Sequence, residues 1–321
     1  MTGAPEDEAA SSWREARHDT GDAAHPLRVF TLRGAAPGPT LALLGAVHGD
    51  EMEGPLALSR LMAGLDPDAL AGALIVAPLV NAAAAAAGTR CTPADGGNLA
   101  RSFPGDPAGS YTQRLAALVA QQVIERADAL VDLHSGGTAL DCPLLIGWSD
   151  TPGETGLRSA AMARAFGAPV MWRHPPPMPR GRTLTHAEDT GIPAIYTEAG
   201  GGTAPPGSVV DAYHDGVLRV MEHLGMIRAA TPPPPVPLCL AGQSDIDAAI
   251  DAPVSGLCTP HIAPLDIVRV GQPCFDISDI DGKLLTTVHA TASARAVFVR
   301  RSRWVGSGDL LMALAVEELC A

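Results

Sequence analysis

The sequence predicts an α/β protein: a mostly parallel or mixed sheet with helices on both faces, followed by a small all-β domain. Two observations predict this class. Over residues 26–228, apolar strand-like segments alternate with helix-like segments, and strands that are apolar throughout are typical of sheets covered on both faces. The alternation then ends at a proline-rich stretch, residues 229–237, and short β-type segments separated by turn residues follow it.

The elements of the first region follow from periodicity and composition. Apolar segments at residues 40–47, 72–80, 128–136 and 192–201 are predicted to be buried strands. Segments with apolar residues at helical spacing lie between or after them, at residues 54–65, 111–127, 156–168 and 209–226. Residues 1–25 are polar and of mixed charge, and we expect them to form a flexible N-terminal segment.

The second region, residues 238–321, is predicted to be a small β domain. Four consecutive prolines in the stretch before it favour an extended linker. Asp281-Gly282 predicts a hairpin between two strands. Residues 267–277 and 300–314 resemble each other weakly, as the two halves of a small β sandwich would.

Composition excludes several classes of function. The net charge of −13 argues against nucleic acid or an anionic membrane as a partner. The apolar stretch at residues 71–88 is interrupted by Pro78 and Asn81, so we expect a buried strand and a turn or short helix instead of a membrane span. Six cysteines without a CxxC pair do not suggest a disulfide framework, which favours the cytoplasm. The sequence leaves open whether the chain forms a homo-oligomer.

The first candidate site residues follow the strand predicted at residues 40–47. His48 and Glu51 are three positions apart, so an imidazole and a carboxylate can reach one point from a turn or a first helical turn. Zn²⁺ takes such ligands, and its catalytic sites leave a position for water. A polar turn whose acids cap the next helix is the ordinary alternative. Asp50 and Glu53 are expected to have only that local role.

Two further strands end in candidate residues. His134 ends the strand at residues 128–136 and offers a third ligand at the edge where open α/β sheets bind ligands. Asp132 lies two residues earlier and is placed to orient a ligand. Glu198 ends another apolar strand, where a carboxylate is suited to act as general base for an attacking water. A helix-capping or salt-bridged glutamate is the alternative for Glu198.

A loop at residues 88–110, rich in glycine and proline, contains Arg90, Asn98 and Arg101. Arginine near a metal polarises a carbonyl or clamps a carboxylate in bidentate fashion. A solvated surface position is the ordinary role of any one of these arginines. Arg180 and Arg182, in a second proline-rich loop, are further candidates for substrate contact.

Taken in order over residues 40–225, the motifs H-x-x-E, R…N-L-x-R-x-F-P-G, D-L-H and E resemble the succinylglutamate desuccinylase/aspartoacylase family of the zinc carboxypeptidase-like superfamily. The resemblance implies a zinc carboxypeptidase-like fold and one Zn²⁺ per chain. It also implies that His48, Glu51 and His134 are the zinc ligands and that Glu198 is the catalytic base. Some members of the family carry a C-terminal β domain of barrel-sandwich type, which residues 238–321 resemble.

The same resemblance implies roles for the loop arginines. Arg90 would help to polarise the scissile carbonyl, and Arg101 would bind a substrate carboxylate. This chain departs from the family at Ala100, where an asparagine is common, so we expect carboxylate recognition or the substrate itself to differ. Asn98 is the remaining amide of the motif and is retained as a candidate for substrate binding.

These residues predict a zinc-dependent hydrolase that removes an acyl group from a small, carboxylate-bearing N-acylated amino acid or related amine. One alternative is a zinc carboxypeptidase that acts on short peptides. Another is a metal-free carrier or binding protein, because barrel-sandwich domains resemble lipoyl and biotinyl carriers and Lys283 lies in the predicted hairpin. The sequence around Lys283 matches a carrier hairpin only superficially, so we expect a solvated residue there.

Overall fold

The computed structural model describes residues 13–201, 205–228, 237–242 and 249–320. The predicted linker, residues 229–237, therefore lies outside the described residues except for Pro237. The strands are β1 (Arg14–His18), β2 (Leu27–Arg33), β3 (Ala36–Gly45), β4 (Ala71–Ala77), β5 (Ala129–Leu133), β6 (Leu140–Asp141), β7 (Leu145–Ser149), β8 (Val170–His174), β9 (Ala194–Glu198), β10 (Leu238–Ala241), β11 (Ile250–Asp251), β12 (Gly256–Pro260), β13 (Ile267–Val268), β14 (Pro273–Ser278), β15 (Leu284–His289), β16 (Ala294–Arg300), β17 (Trp304–Val305) and β18 (Leu310–Glu318). The helices are α1 (Glu53–Gly64), α2 (Ala82–Ala87), α3 (Tyr111–Gln122), α4 (Glu154–Phe166), α5 (Thr183–Asp189) and α6 (Gly207–His223), and 3-10 turns lie at Pro67–Ala69, Leu99–Arg101 and Ile124–Arg126.

A large mixed sheet forms the centre of the molecule. Within the described residues it has fourteen strands, in the order β1-β2-β4-β3-β5-β9-β7-β8-β10-β18-β16-β13, with β11 beside β18 and β6 beside β16. The strands β4, β3, β5 and β9 are parallel neighbours, whereas β7 runs antiparallel to β9. The prediction of a mixed α/β fold is confirmed.

Helices cover both faces of this sheet. On one face α1, α4 and α6 contribute Leu58, Met162 and Val217 to a buried core. On the other face α3 and α5 contribute Leu115 and Leu184 to a second core. These helices have apolar residues at the spacing that keeps one stripe against the sheet, which is why their periodicity predicts them.

The structure also contains elements that periodicity does not predict. In the segment expected to be flexible, Arg14–His18 forms β1, which pairs antiparallel with β2 at the edge of the sheet. A polar strand of this kind lacks the apolar pattern of a buried one, because four of its five residues are exposed. Strands β7 and β8 are buried but short, and Gly147 interrupts β7.

The C-terminal strands form a second layer and also extend the main sheet. Strands β12, β14, β15 and β17 make a four-stranded sheet. Its apolar side packs with residues of β16 and β18, around Phe275, Val299 and Leu311. The hairpin predicted at Asp281-Gly282 is confirmed, because β14 and β15 pair antiparallel around it. Strand β10 pairs with β8 on one side and β18 on the other, so the hydrogen-bonded sheet is continuous. The domain boundaries and the barrel-sandwich type stay predictions.

One covalent link was not expected from the sequence. Cys239 and Cys320 form a disulfide, although 81 positions separate them. They meet because β10 and β18 are antiparallel neighbours, which spacing along the chain does not reveal. The other four cysteines are free. Among the helices that the structure describes, none combines the length and apolar composition needed to cross a membrane.

Candidate metal and catalytic site

Neighbouring strand ends bring the three predicted metal ligands together. Strands β3 and β5 are parallel and adjacent, and their last residues, Gly45 and Leu133, pair with each other. The loops that follow carry His48 and Glu51 on one side and His134 on the other. One nitrogen or oxygen atom from each of these side chains lies within 4.8 Å of the others, and all three residues are buried.

The backbone after β3 turns sharply to place His48. Ala46 has a φ of 51°, in the left-handed region that non-glycine residues rarely adopt. Hydrogen bonds from Val80 N to Gly45 O and from Asn81 N to Ala46 O, both 2.9 Å, hold this turn. Gly49 then passes so close to helix α2 that a Cβ there would lie 2.2 Å from the Ala84 carbonyl carbon. The loop is thus fixed by backbone contacts before any metal binds.

His134 is held on both ring nitrogens. Its Nε2 lies 3.0 Å from Asp132 Oδ2, and its Nδ1 lies 2.9 Å from Glu51 Oε2. Thr183 Oγ1 donates to the same Asp132 oxygen at 2.6 Å. The Tyr213 hydroxyl donates to the His134 carbonyl at 2.5 Å. Asp132 therefore has the contact expected of a carboxylate that orients a histidine ligand, which leaves Nδ1 on the side of Glu51.

The two other acids of the first loop also reach the second loop, contrary to the local role expected for them. The Asp50 carboxylate accepts hydrogen bonds from Thr138 N and Thr138 Oγ1, each at 3.0 Å. Glu53 is buried at the start of α1, and its Oε2 accepts from Ser135 Oγ at 2.5 Å. Ser135 N in turn donates to Glu51 Oε2 at 3.1 Å. Adjacent parallel strands place their exit loops side by side, which explains why these acids bridge loops instead of capping the helix.

Burial and neighbouring charges set the protonation of the two histidines. Burial, with the positive charges of Arg90 and His134, lowers the pKa of His48 well below its ordinary value. Burial also lowers the pKa of His134, but the charges of Asp132 and Glu51 outweigh it and hold that pKa well above the ordinary value. In the metal-free protein, a proton on His134 thus supplies positive charge between two carboxylates.

The donor set suits a divalent metal ion. Two imidazoles and one carboxylate are the ligands that zinc takes in catalytic sites with an open position. A cation there would replace the proton of His134 as the charge that balances Glu51 and Asp132. Asp132 would keep the far nitrogen of His134 hydrogen-bonded, as in other carboxylate–histidine–metal arrangements.

Glu198 lies at the end of β9 and lines the same cavity as His48 and His134. Its Oε2 is buried and has no hydrogen-bond partner among the described residues. Burial and the negative charge of Glu51 raise the pKa of Glu198. A carboxylate with raised proton affinity and an unpaired oxygen in a cavity is suited to take up and release a proton there.

The loop arginines lie at the cavity in two different settings. Arg90 Nη1 donates to Glu51 Oε1 at 2.8 Å, so this guanidinium contacts a predicted metal ligand. Arg101 follows in the 3-10 turn Leu99–Arg101, and its Nη1 donates to the Ala100 carbonyl at 3.2 Å. Arg182 also lines the cavity and is buried, whereas Arg180 is exposed, pairs with Asp189 and does not line it. The structure therefore places Arg90, Arg101 and Arg182 around one space.

Asn98 has a different setting from the one predicted. Its Oδ1 accepts from Ala100 N at 3.1 Å and caps the 3-10 turn, and it is not among the residues that line the cavity. Ala100 itself lines the cavity, and of the described residues that do so, none has an amide side chain. Asn98 thus supports the arginine loop, and no described residue of the cavity lining replaces the amide expected at position 100.

An apolar wall completes the cavity, and sequence reasoning did not identify it. Trp172 of β8, Tyr196 of β9 and Phe298 of β16 line it together with Met178. The Trp172 and Phe298 ring centroids are 6.0 Å apart. Trp172 and Phe298 belong to the core shared by the main sheet and the C-terminal strands. The C-terminal region thus supplies part of the cavity surface, which no local motif indicates.

Comparison with known proteins agrees with this geometry. Residues 37–224 match the model of the succinylglutamate desuccinylase/aspartoacylase catalytic domain. The chain is 32% identical over 282 residues to the N-alpha-acetyl-L-2,4-diaminobutyric acid deacetylase of Halomonas elongata, with 87% of this chain and 82% of that protein aligned.

Solved structures share the fold over nearly the whole chain. The product-bound ectoine utilization protein EutE (DoeB) from Ruegeria pomeroyi has a TM-score of 0.85 and 28% identity, covering 94% of this chain and 93% of its own. The succinylglutamate desuccinylase/aspartoacylase from Rhodobacter sphaeroides has a TM-score of 0.84 and 27% identity, covering 98% of this chain and 99% of its own.

Proposed function

Because the chain belongs to the succinylglutamate desuccinylase/aspartoacylase family, we propose that it is a zinc-dependent hydrolase that removes an acyl group from a small N-acylated amino acid. Its relative from Halomonas elongata is a deacetylase of an acetylated diamino acid, which supports this class of substrate. The observation that carries the proposal is the convergence of His48, Glu51 and His134 at a cavity that Glu198 also lines.

In this proposal His48, Glu51 and His134 hold one zinc ion per chain. Zinc would supply Lewis acidity, which makes water a stronger acid and draws electrons from a carbonyl oxygen. The protein's own contribution is rigidity: Asp132 fixes the His134 ring, and Ser135 N fixes the Glu51 carboxylate. Ligands held in this way lose little freedom when a metal binds.

Glu198 acts as the general base and then as the general acid. Its carboxylate takes a proton from the water that attacks the acyl carbon. It then gives that proton to the nitrogen of the departing amine, so that the C–N bond breaks and a carboxylic acid and an amine are released. The raised pKa of Glu198 suits both steps, because the group must hold the proton between them.

The arginines bind and polarise the substrate. Arg90 donates to Glu51 and lines the cavity, so we assign to it the acyl oxygen, on which negative charge develops. Arg101 offers a planar cation to the substrate carboxylate. The aromatic wall and the C-terminal strands limit the cavity to a small substrate, which favours acylated amino acids over the C-terminus of a peptide.

The test compares metal content and turnover. We expect purified protein to contain about one zinc per chain and to release the acyl group from N-acetyl amino acids faster than it cleaves short peptides. Glu198→Gln should keep the zinc and lose about 10²- to 10⁴-fold in kcat, because the amide cannot accept the proton. Elemental analysis and an assay of the released amine measure both quantities.

Glu125→Gln is the matched control. Glu125 lies outside the cavity, where it pairs with His186, so this variant should keep both zinc and turnover. Full turnover by Glu198→Gln, or faster cleavage of peptides than of acylated amino acids, would refute the proposed function.

A further inference from the structure

A buried histidine and a half-buried tyrosine form a hydrogen-bonded pair beside the proposed catalytic base. His174 Nε2 lies 2.8 Å from the Tyr196 hydroxyl, and the two ring centroids are 5.7 Å apart. Tyr196 and Glu198 are alternate residues of β9, so their side chains leave the same face of the sheet, and both line the cavity. The pair therefore lies next to the proposed site, although no step described above uses it.

The sheet is built to let Tyr196 reach His174. Strand β7 lies between β9 and β8, and Gly147 pairs with Tyr196 on one side and with Trp172 on the other. A Cβ at Gly147 would lie 2.1 Å from the Tyr196 ring, so only glycine allows the ring to cross β7. This arrangement brings the hydroxyl to a histidine on the far side of β7.

The surroundings of His174 determine which of its nitrogens carries the proton. The residue is fully buried, and its Nδ1 has no hydrogen-bond partner among the described residues. Burial and the nearby charge of Arg182 lower the pKa of His174 to about 3, so the imidazole is neutral at pH 7. A neutral imidazole has one N–H, and a buried N–H without an acceptor is costly. The proton therefore lies on Nε2, which donates to Tyr196.

We propose that His174 is a positioning residue that directs the Tyr196 O–H into the cavity, where Tyr196 donates a hydrogen bond to an oxygen of the bound substrate. A tyrosine hydroxyl has one proton. Because the oxygen accepts from His174, that proton points away from His174. The acceptor is a carbonyl or carboxylate oxygen, the two kinds of oxygen that an acylated amino acid presents. This inference rests on the proposed function for the identity of the substrate, but not for the direction of the hydroxyl.

The first experiment needs no turnover. Nitrogen-15 NMR of the labelled full chain, with His174→Gln to assign the signals, reports which ring nitrogen of His174 is protonated. We expect a neutral ring with the proton on Nε2 between pH 5 and pH 8. A proton on Nδ1, or on both nitrogens, overturns the proposal even if the chain hydrolyses no acylated amino acid.

The second experiment measures kcat and KM for an N-acetyl amino acid. Tyr196→Phe should lower kcat/KM by about 10- to 100-fold with zinc content unchanged, whereas Tyr111→Phe, at a tyrosine that does not line the cavity, should have no effect. A loss in kcat means that the Tyr196 hydroxyl donates its hydrogen bond to the developing oxyanion, and a rise in KM means that it donates to the substrate carboxylate.

Variants of His174 separate positioning from general stability. His174→Leu should lose nearly as much kcat/KM as Tyr196→Phe. The double variant should lose no more than Tyr196→Phe alone, because both changes remove the same interaction, the hydrogen bond from Tyr196 to the substrate. His174→Gln retains a donor near the position of Nε2 and should recover part of the activity. Additive losses, or wild-type kcat/KM in Tyr196→Phe, overturn the proposal.

Discussion

The two sides of the cavity are built differently. On the metal side, His48, Glu51 and His134 come from two adjacent strand ends and are tied together by hydrogen bonds between buried polar groups. On the aromatic side, Trp172 and Phe298 come from strands that are more than a hundred residues apart in sequence, and they are held by apolar packing. One side is a local polar arrangement, and the other is a product of the tertiary fold.

This difference separates two tasks. Buried polar groups that are hydrogen-bonded at fixed distances can hold a metal and move a proton, because both tasks need fixed distances. Small displacements of these groups therefore impair both tasks. An apolar wall tolerates changes in shape and mainly decides which substrate enters. We therefore expect changes on the metal side to alter metal affinity, and changes on the aromatic side to alter KM.

Between the two sides, the larger effect is expected at Asp132 on the metal side. Asp132→Asn should weaken zinc binding by about 10- to 100-fold, because the His134 ring loses the carboxylate that fixes its orientation and supports its basicity. Competition with a chromophoric chelator measures the affinity. Because the aromatic side is unchanged in Asp132→Asn, KM for the substrate should change little once the protein is saturated with zinc.

Asp128→Asn is the control for this variant. Asp128 directly precedes the same strand, but it is exposed and accepts a hydrogen bond from Thr40 N at 2.8 Å. Its zinc affinity should equal that of the wild type. If Asp132→Asn also bound zinc as tightly as the wild type, the Asp132 carboxylate would not be what holds the His134 ring.

A smaller effect is expected on the aromatic side. Phe298→Leu keeps most of the buried volume but removes the ring that lies against Trp172, so KM should rise by about 2- to 10-fold with zinc affinity unchanged. Steady-state kinetics with an N-acetyl amino acid measures the change. A loss of zinc in this variant would mean that the two sides are coupled.

Phe275→Leu distinguishes a wall residue from any buried aromatic residue. Phe275 is fully buried in the C-terminal core and does not line the cavity. This variant and Phe298→Leu should both lower the melting temperature, but Phe275→Leu should leave KM unchanged. A rise in KM for both variants would assign the effect to general destabilisation.

The metal side could be predicted from the sequence because its parts obey local rules. Apolar runs that end in His48, His134 and Glu198 indicate parallel strands, and parallel strands end at one edge of a sheet. The sequence did not show that Asp50 and Glu53 bridge to the neighbouring loop, because it does not show which strands are neighbours.

The aromatic side could not be predicted for the same reason. Phe298 lies in a segment that reads as part of a separate β domain, and the pairings of β10 with β8 and of β6 with β16 bring that segment to the main sheet. Trp172 packs beside Phe298, and a contact between residues so distant in sequence leaves no periodic pattern along the chain. Strand β1 was missed because a polar edge strand lacks the apolar alternation of a half-buried one.

The smallest effect concerns the arginine loop, which supplies Arg90 and Arg101 to the cavity. Asp95 fastens this loop to the start of α3: its carboxylate accepts from Thr112 N at 2.8 Å and from Thr112 Oγ1 at 2.6 Å. Asp95 is mostly exposed, and the slight burial of its carboxyl group raises the pKa, but these hydrogen bonds outweigh that effect and lower the pKa from 3.8 to about 2.

The sign of the pH dependence follows from that shift. A carboxyl group with a lowered pKa in the folded state stabilises the protein fully above its unfolded value, and this contribution is lost as the pH falls towards about 2. Asp95→Asn should lower the melting temperature by about 2 °C at pH 6, since Asp95 is exposed and solvent screens its interactions. The difference from the wild type should shrink below pH 4. Calorimetry at pH 6, 4 and 3 measures it, and a difference that stays constant over this range would show that the charge of Asp95 does not hold the arginine loop.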